Sequence, residues 1–184
     1  MLKTGERMPD FTFDTPFETG RSLGETVKRV KGRTGIVFLR YYGCTLCQYD
    51  IHRYAAGYGA IGDSQGQLLI VLQSDRERLG RQLERNGLPF DLICDPKGEL
   101  YRRFEIRAAA SREELLGPGT MEKLQSARAA GFSHGDYEGE ELQLPAAFVV
   151  DGELQIRYAH YGRTADDLPD AQELAEILGG EQEA

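Results

Sequence analysis

The spacing of hydrophobic residues along this chain changes several times, and each change marks an element. "GIVFLRY" (35–41) is nearly all apolar and β-branched at its start. An uninterrupted run of this kind predicts a strand covered on both faces, as in a sheet sandwiched by helices. The residues after it switch period. Cys47, Ile51, Tyr54, Ala55 and Tyr58 fall at i, i+4, i+7, i+8 and i+11, one stripe of a helix. Gly57, Gly59 and Gly62 weaken its later half. "QLLIVLQ" (67–73) predicts a second central strand and "FDLIC" (90–94) a third. Between them, Ser74 to Glu77 reads as a capping box opening a charged helix that ends near Asn86-Gly87. Asp95-Pro96 predicts an N-cap and a first-turn proline for a helix over "KGELYRRF". Upstream, "DFTF" (10–13) predicts an edge strand, and Leu23 to Val30 a short helix.

Residues 108–143 break the rhythm. They hold Gly117-Pro118-Gly119, a short predicted helix from Met121 to Ala130 and a polar, Gly-rich stretch, "GFSHGDYEGEE". This segment is too small and too poor in apolar residues for a core of its own, so it reads as an insertion within one domain. "PAAFVVDGELQIRYAHYG" (145–162) predicts a hairpin around Asp151-Gly152, a dipeptide that suits positive φ. Leu168-Pro169 precedes a terminal helix with Ala171, Leu174, Ile177 and Leu178 as its buried stripe. Strand–helix alternation followed by a hairpin and a last helix predicts an α/β fold with a central mixed sheet between helical layers.

Composition narrows the classes of function. A chain of 184 residues favours a single domain, 1–184, able to bury roughly 70% of its unfolded surface. The net charge of −8 repels phosphate backbones, which argues against nucleic acid as a partner. The longest apolar runs are short ("LLIVL", 68–72), far from the ~20 residues of a spanning helix, so no membrane association is expected. "MLKTGERMPDFTF" has no apolar h-region, and three cysteines do not make a secreted disulfide framework. A cytoplasmic location is the expectation.

Two of those cysteines stand in "YYGCTLCQ" (41–48). A strand ends near Tyr41, Gly43 turns the chain, and a helix begins near Thr45. Cys44 and Cys47 therefore sit at a helix N-terminus, where unpaired N–H groups and the helix dipole favour an anion. A thiolate is such an anion, and its pKa falls at these sites from about 8.5 into a range of roughly 3.5 to 7.5. Arg40 is close enough in sequence to add positive charge, although strand alternation could aim it elsewhere. Three readings compete. The cysteines are two buried, inert side chains. They are half of a zinc site, for which Cys94 and His52 are the only obvious further ligands. Or they are a redox pair, which the strand–turn–helix context favours. Pro145, opening the apolar strand of "LQLPAAFVVD", is a second feature, and base rates favour an ordinary trans bond there.

With "GCTLC" on a strand-to-helix turn, "LPAAFVVDG" far downstream, then a hairpin and a final helix, the chain resembles a thioredoxin-fold protein. More narrowly, it resembles the peroxiredoxin-like branch of the alkyl hydroperoxide reductase/thiol-specific antioxidant (AhpC/TSA) superfamily. "PDFTF", "VLQSD", "CDPKGELYRRF" and "FVVDGELQIRYAHYGRTADDLP" carry that likeness over nearly the whole chain. The resemblance implies a cis Leu144-Pro145 bond facing the cysteine pair. It also implies an antioxidant, thiol-dependent oxidoreductase that forms a disulfide. The chain departs from the pattern P-x-x-x-T-x-x-C. With Cys47 last, the threonine position is Cys44 and the proline position is Arg40. Ala146-Ala147 stand where many peroxiredoxins place an arginine, and Arg157 is a substitute candidate.

Two functions follow as expectations. The first is an enzyme using Cys44-x-x-Cys47, with Tyr42, Gly43, Thr45, Pro145 and Arg40 lining the site. It acts either by thiol–disulfide exchange or by peroxide reduction through a sulfenic acid. Exposure at the helix cap favours Cys44 as the attacking sulfur, whereas the family pattern points to Cys47. No metal or organic cofactor is needed. Expected partners are a peroxide or disulfide substrate, a thioredoxin-like or other thiol reductant, and a second copy of the chain in a homodimer. The second is a redox sensor whose disulfide alters a surface, with 108–143 as the surface that is read. Cys94 reads as buried and inert, His52 as a surface residue, His134 as part of the polar segment, and His160 as structural.

Overall fold

The apolar runs become one five-stranded sheet. The structure, a computed structural model, describes residues 1–180. β1 (Thr12–Phe13) and β2 (Arg21–Ser22) pair as a small antiparallel ribbon. α1 (Leu23–Thr26) runs into a 3₁₀ turn over Val27–Arg29. β3 (Thr34–Phe38) follows, then α2 (Thr45–Ala56), α3 (Tyr58–Asp63) and β4 (Gln67–Leu72). Next come α4 (Arg76–Gln82), β5 (Asp91–Cys94) and α5 (Glu99–Arg103). The 108–143 segment holds α6 (Arg112–Leu115) and α7 (Thr120–Ala129). β6 (Ala146–Val150), β7 (Ile156–Tyr161) and α8 (Ala171–Gly179) complete the described elements.

The sheet order is β5-β4-β3-β6-β7. β3, β4 and β5 run parallel, while β6 is antiparallel to β3 and to β7. Side chains alternate between two buried faces, which is why the strands read as unbroken apolar runs. Val37, Leu68, Ile70 and Leu72 face α2, α3 and α8, packing with Ile51, Ile61, Leu174 and Leu178. Ile36, Phe38, Leu69 and Val71 face the other way, onto Phe11, Leu23, Tyr101 and Phe104. There Phe38 makes edge-on contacts with Tyr101, Phe104 and Phe148 at 5.1, 6.0 and 5.9 Å between ring centroids.

Several local expectations are corrected. The helical stripe from Cys47 to Tyr58 is split at Gly57, whose missing side chain lets α8 approach; a Cβ there would lie 2.5 Å from that of Ala171. α4 is capped by Asp75, not Ser74. The Asp75 carboxylate accepts from the N–H groups of Glu77 and Arg78, and the Ser74 hydroxyl serves another segment. Asp95 accepts from Glu99 and Leu100, so it closes the start of α5 across a turn rather than standing directly before it. The residue in the cap position is Gly98, at φ +64°, a left-handed conformation that favours glycine. In the hairpin the positive φ belongs to Leu154, at +64°, and not to Asp151 or Gly152. The Asp151 carboxylate accepts from Glu153 and Gln155 and folds a wider turn.

Leu144-Pro145 is trans, since no peptide bond among the described residues is cis. The Pro145 carbonyl accepts from the Gly162 N–H at 2.9 Å, which closes the open end of the hairpin. Ala146 pairs with Phe38, so Pro145 sits at the end of the sheet where β3 gives way to the cysteine loop.

Candidate active site

The site is built where β3 stops. The Arg40 carbonyl accepts from Gln73 N–H at 2.7 Å, and the Ser74 hydroxyl accepts from Tyr42 N–H at 2.9 Å. These two bonds fasten the chain to the end of β4 as it leaves the sheet. Tyr41 O then accepts from Cys44 N–H at 3.2 Å, forming the turn that precedes α2.

Cys44 is the N-cap of α2, with the extended backbone of a cap (φ −67°, ψ 125°), and its sulfur accepts from Cys47 N–H at 3.3 Å. A serine or aspartate oxygen usually does this work. A sulfur in that position is drawn toward the thiolate, because the charged form is the better acceptor. Arg40 adds to this. Its Nη2 donates to Cys44 Sγ at 2.9 Å, and its Nη1 donates to the carbonyl of Glu141. Strand alternation does not aim Arg40 away, because β3 has ended at Phe38.

The two thiols are driven apart in acidity. The Cys47 thiol, hydrogen-bonded to the Cys44 sulfur, is the largest influence lowering Cys44. Burial opposes it, and Arg40 and the Cys47 N–H assist, so Cys44 falls to about 6. Burial, and then the neighbouring Cys44, push Cys47 well above an ordinary thiol. Burial on its own would weaken the charge of Arg40, but the adjacent cysteines outweigh it and raise its pKa further. Both cysteines are free thiols.

Cys44 is not the more exposed of the two residues: it is 1% accessible and Cys47 4%. A roof formed by residues 133–141 covers the turn that precedes Cys44. Gly135 N–H donates to the Gly43 carbonyl at 2.8 Å, and Gln48 Nε2 donates to the carbonyls of Ser133 and Gly43. A Cβ on Gly43 would stand 2.0 Å from the Asp136 carbonyl oxygen, so only glycine admits the roof this closely. Farther along, Glu138 accepts from Asp75 N–H and the buried Gln73 accepts from Glu140 N–H. Gln73 also donates to the buried Gln143, which donates in turn to the carbonyls of Ile106, Arg107 and Leu144.

A cavity of about 350 Å³ lies beside Arg40, between the start of α2 and the 108–143 segment. Thr45, Leu46 and Tyr41 form one wall, and α6, α7 and the roof form the other. His134 Nδ1 donates to the Gly135 carbonyl, which leaves Nε2 to accept from the Tyr41 hydroxyl at 3.2 Å. Tyr137 stacks on His134 at 4.2 Å. α7 is tied to α2 by an ion pair, Lys123 Nζ to Asp50 Oδ1 at 2.6 Å, one turn beyond Cys47.

The structure thus brings Arg40, Tyr42, Gly43, Cys44, Thr45 and Cys47 together, with Pro145 at the same end of the sheet. Others are elsewhere. Arg157 holds Asp151 with two bonds, at 2.9 and 2.7 Å, at the opposite end of the hairpin, and so cannot replace the missing arginine. His160 binds Asp167 at 3.0 Å. His52 is exposed and packs against Phe132. Cys94 is half-buried rather than buried, and burial pushes its thiol up to about 12. Sequence reasoning assigned no site role to His134, Tyr137, Glu141, Gln73 or Gln143. Their only trace is a histidine and a tyrosine in a polar, Gly-rich loop.

Comparison with known proteins agrees with this architecture. The arrangement is that of thioredoxin-fold proteins. The chain resembles the reduced 2-Cys peroxiredoxin of Plasmodium vivax with a TM-score of 0.66 at 11% identity, covering 97% of this chain and 81% of that one. It resembles the thiol peroxidase from Chromobacterium violaceum with a TM-score of 0.60 at 13% identity, over 96% and 86% of the two chains. It also resembles a protein of Chlorobium tepidum described as the thiol:disulfide interchange protein DsbE, with a TM-score of 0.56 at 14% identity, over 88% and 87%. At these identities the likeness concerns the fold. No match was found among curated proteins. A family model does match, across residues 4–159: the chain belongs to the AhpC/TSA family. At family level this is a thiol oxidoreductase or peroxidase family.

Proposed function

We propose that this chain is a dithiol peroxidase in which Cys44 attacks and Cys47 resolves. The observation that carries the reading is the 2.9 Å contact of Arg40 Nη2 with Cys44 Sγ, on a sulfur that also caps α2. The Cys44 thiolate attacks one oxygen of a peroxide. An S–O bond forms, the O–O bond breaks, and the leaving alkoxide or hydroxide takes up a proton. Arg40, already at the sulfur, stabilises the charge as it moves onto that oxygen. Cys47, deprotonated as it reacts, then attacks the sulfenic sulfur. A Cys44–Cys47 disulfide forms and hydroxide leaves as water. An external dithiol, such as a thioredoxin-like protein, returns the pair to its reduced state by two exchange steps. The arginine takes over work that the family pattern gives to threonine.

The test is to replace each cysteine with serine, add peroxide and trap sulfenic acid with dimedone for mass detection. Cys47→Ser should accumulate a trapped adduct at Cys44, and Cys44→Ser should give none. No adduct in either variant, with no peroxide consumed by the parent chain, would end this reading. Disulfide exchange with a dithiol partner would then be the surviving enzymatic function. A sensor is separated from both by turnover, because it is oxidised once per chain and does not cycle.

A further inference from the structure

The cavity beside Arg40 is far larger than the peroxide reading alone requires. Its volume of about 350 Å³ lies at the lower end of small-molecule pockets and is roughly ten times the space of a water-sized molecule. Its walls are mainly apolar, and Leu46, Leu115, Leu116, Leu124 and Leu142 are among the residues that line it. Leu116 and Tyr137, which also line it, are 47% and 65% exposed. They are two of only four large apolar side chains left open to solvent among the described residues. Apolar surface kept open around a cavity marks a place where something apolar is received.

The charges at the cavity oppose those of the chain. The sequence carries a net charge of −8, yet this pocket is lined by Arg40, Arg112 and Arg128, with Glu141 as its one acidic residue. Glu141 is held loosely by Arg112 at 3.8 Å. Arg128 forms no ion pair among the described residues. A cationic lining on an acidic protein attracts an anion.

We propose that this cavity binds an amphipathic carboxylic acid, with its carboxylate at Arg128 and its hydrocarbon body against the leucines. Resting on the peroxidase reading, the oxidant is the hydroperoxide of such an acid. The hydroperoxide end lies toward Arg40, the cavity-lining side chain that hydrogen-bonds the Cys44 sulfur. The reaction balances as above, with the hydroxy acid leaving as the reduced product. The 108–143 segment supplies Leu115, Leu116, Leu124 and Leu142 together with Arg112 and Arg128, so this preference resides mainly in that segment.

Binding is tested apart from turnover. Octanoate, decanoate and decanol are titrated calorimetrically into the reduced chain and into the exposed-site variants Arg128→Gln and Leu116→Gln. Decanoate should bind roughly tenfold more tightly than octanoate, at about three- to fourfold per methylene. It should bind more tightly than decanol, and it should lose about tenfold in Arg128→Gln while decanol does not. Decanoate that fails to bind, or binds no better than decanol, overturns the proposal, as does an unchanged affinity in Arg128→Gln. Turnover then compares a medium-chain fatty acid hydroperoxide with hydrogen peroxide. The ratio of their kcat/KM values should favour the acid and fall in both variants. Activity on hydrogen peroxide with no preference for the acid overturns this proposal and leaves the peroxidase reading intact. No activity on either peroxide, with decanoate bound as described, overturns the peroxidase reading instead.

Discussion

Arg40 touches two groups that belong to different parts of the chain: the sulfur of Cys44 at 2.9 Å and the backbone carbonyl of Glu141. One guanidinium therefore joins the cysteine pair to the roof above it.

The acidity of Cys44 should depend on that contact. Alkylation by iodoacetamide, followed residue by residue against pH, should give Cys44 a midpoint near the value of about 6 and leave Cys47 protonated far higher. Arg40→Met should move the Cys44 midpoint up toward the ordinary thiol value of about 8.5. Stability follows the same sign. A thiol whose folded pKa is lowered stabilises the fold above its unfolded value and loses that contribution as pH falls through the folded one. The reduced chain should thus gain stability between pH 6 and about 8.5, and Arg40→Met should flatten that rise. Two identical, ordinary titrations in the parent chain would contradict the geometry.

Oxidation should loosen the roof. With Cys44 in a disulfide, the half-buried guanidinium of Arg40 loses its anion, and an uncompensated buried charge is costly. Amide hydrogen exchange over residues 133–141 should therefore be faster in the oxidised chain than in the reduced one. Equal protection in the two states would show that Arg40 does not link them.

Gly43 offers a mechanical version of the same experiment. Gly43→Ala places a Cβ 2.0 Å from the Asp136 oxygen, a backbone atom that cannot turn aside. The roof must lift, at about 1–3 kcal/mol by the usual cost of overpacking. Cys44 alkylation at pH 8 should speed up severalfold, because Cys44 is only 1% accessible with the roof in place. An unchanged rate would mean that reagents reach the sulfur by another route.

The ion pair between Lys123 and Asp50 should be felt as stability. Burial is the largest influence on Asp50 and raises its pKa, and Lys123 opposes that. Lys123→Met leaves a buried carboxylate alone, at about 3–5 kcal/mol near neutral pH. A carboxyl raised above its unfolded pKa costs stability above that value and not below it. Denaturation by urea should therefore find the variant's deficit large at pH 7 and reduced at pH 4.5. A deficit that is the same at both would assign it to lost packing.

The central strands were legible because both of their faces are buried, so Ile36 and Val37 are apolar alike although they point in opposite directions. The cysteines were legible because a strand, a glycine and a helix stand in immediate succession around them. What escaped was decided by contacts distant in sequence. The cover over the cysteine turn comes from Gly135 and Asp136, some ninety residues away, which meet Gly43 through backbone atoms that no side-chain pattern reports. The reach of Arg40 depended on where β3 ends, a matter of two residues. Leu144-Pro145 was expected to be cis from family likeness and is trans, as ordinary preference has it. Asp151 and Asp95 were recognised as turn formers, but their carboxylates act several residues farther on than a minimal turn requires.

The cap of α2 is a sulfur, and this ties the helix to the redox state. Joining Cys44 to Cys47 removes the negative charge that receives the Cys47 N–H and the Arg40 guanidinium, so oxidation takes the first turn's acceptor away and reduction gives it back. Every contact that favours the thiolate also favours the dithiol over the disulfide. The helix end would therefore act as a thermodynamic spring, wound by a Cys44–Cys47 disulfide, and would make such a disulfide a willing acceptor of electrons from a thiol.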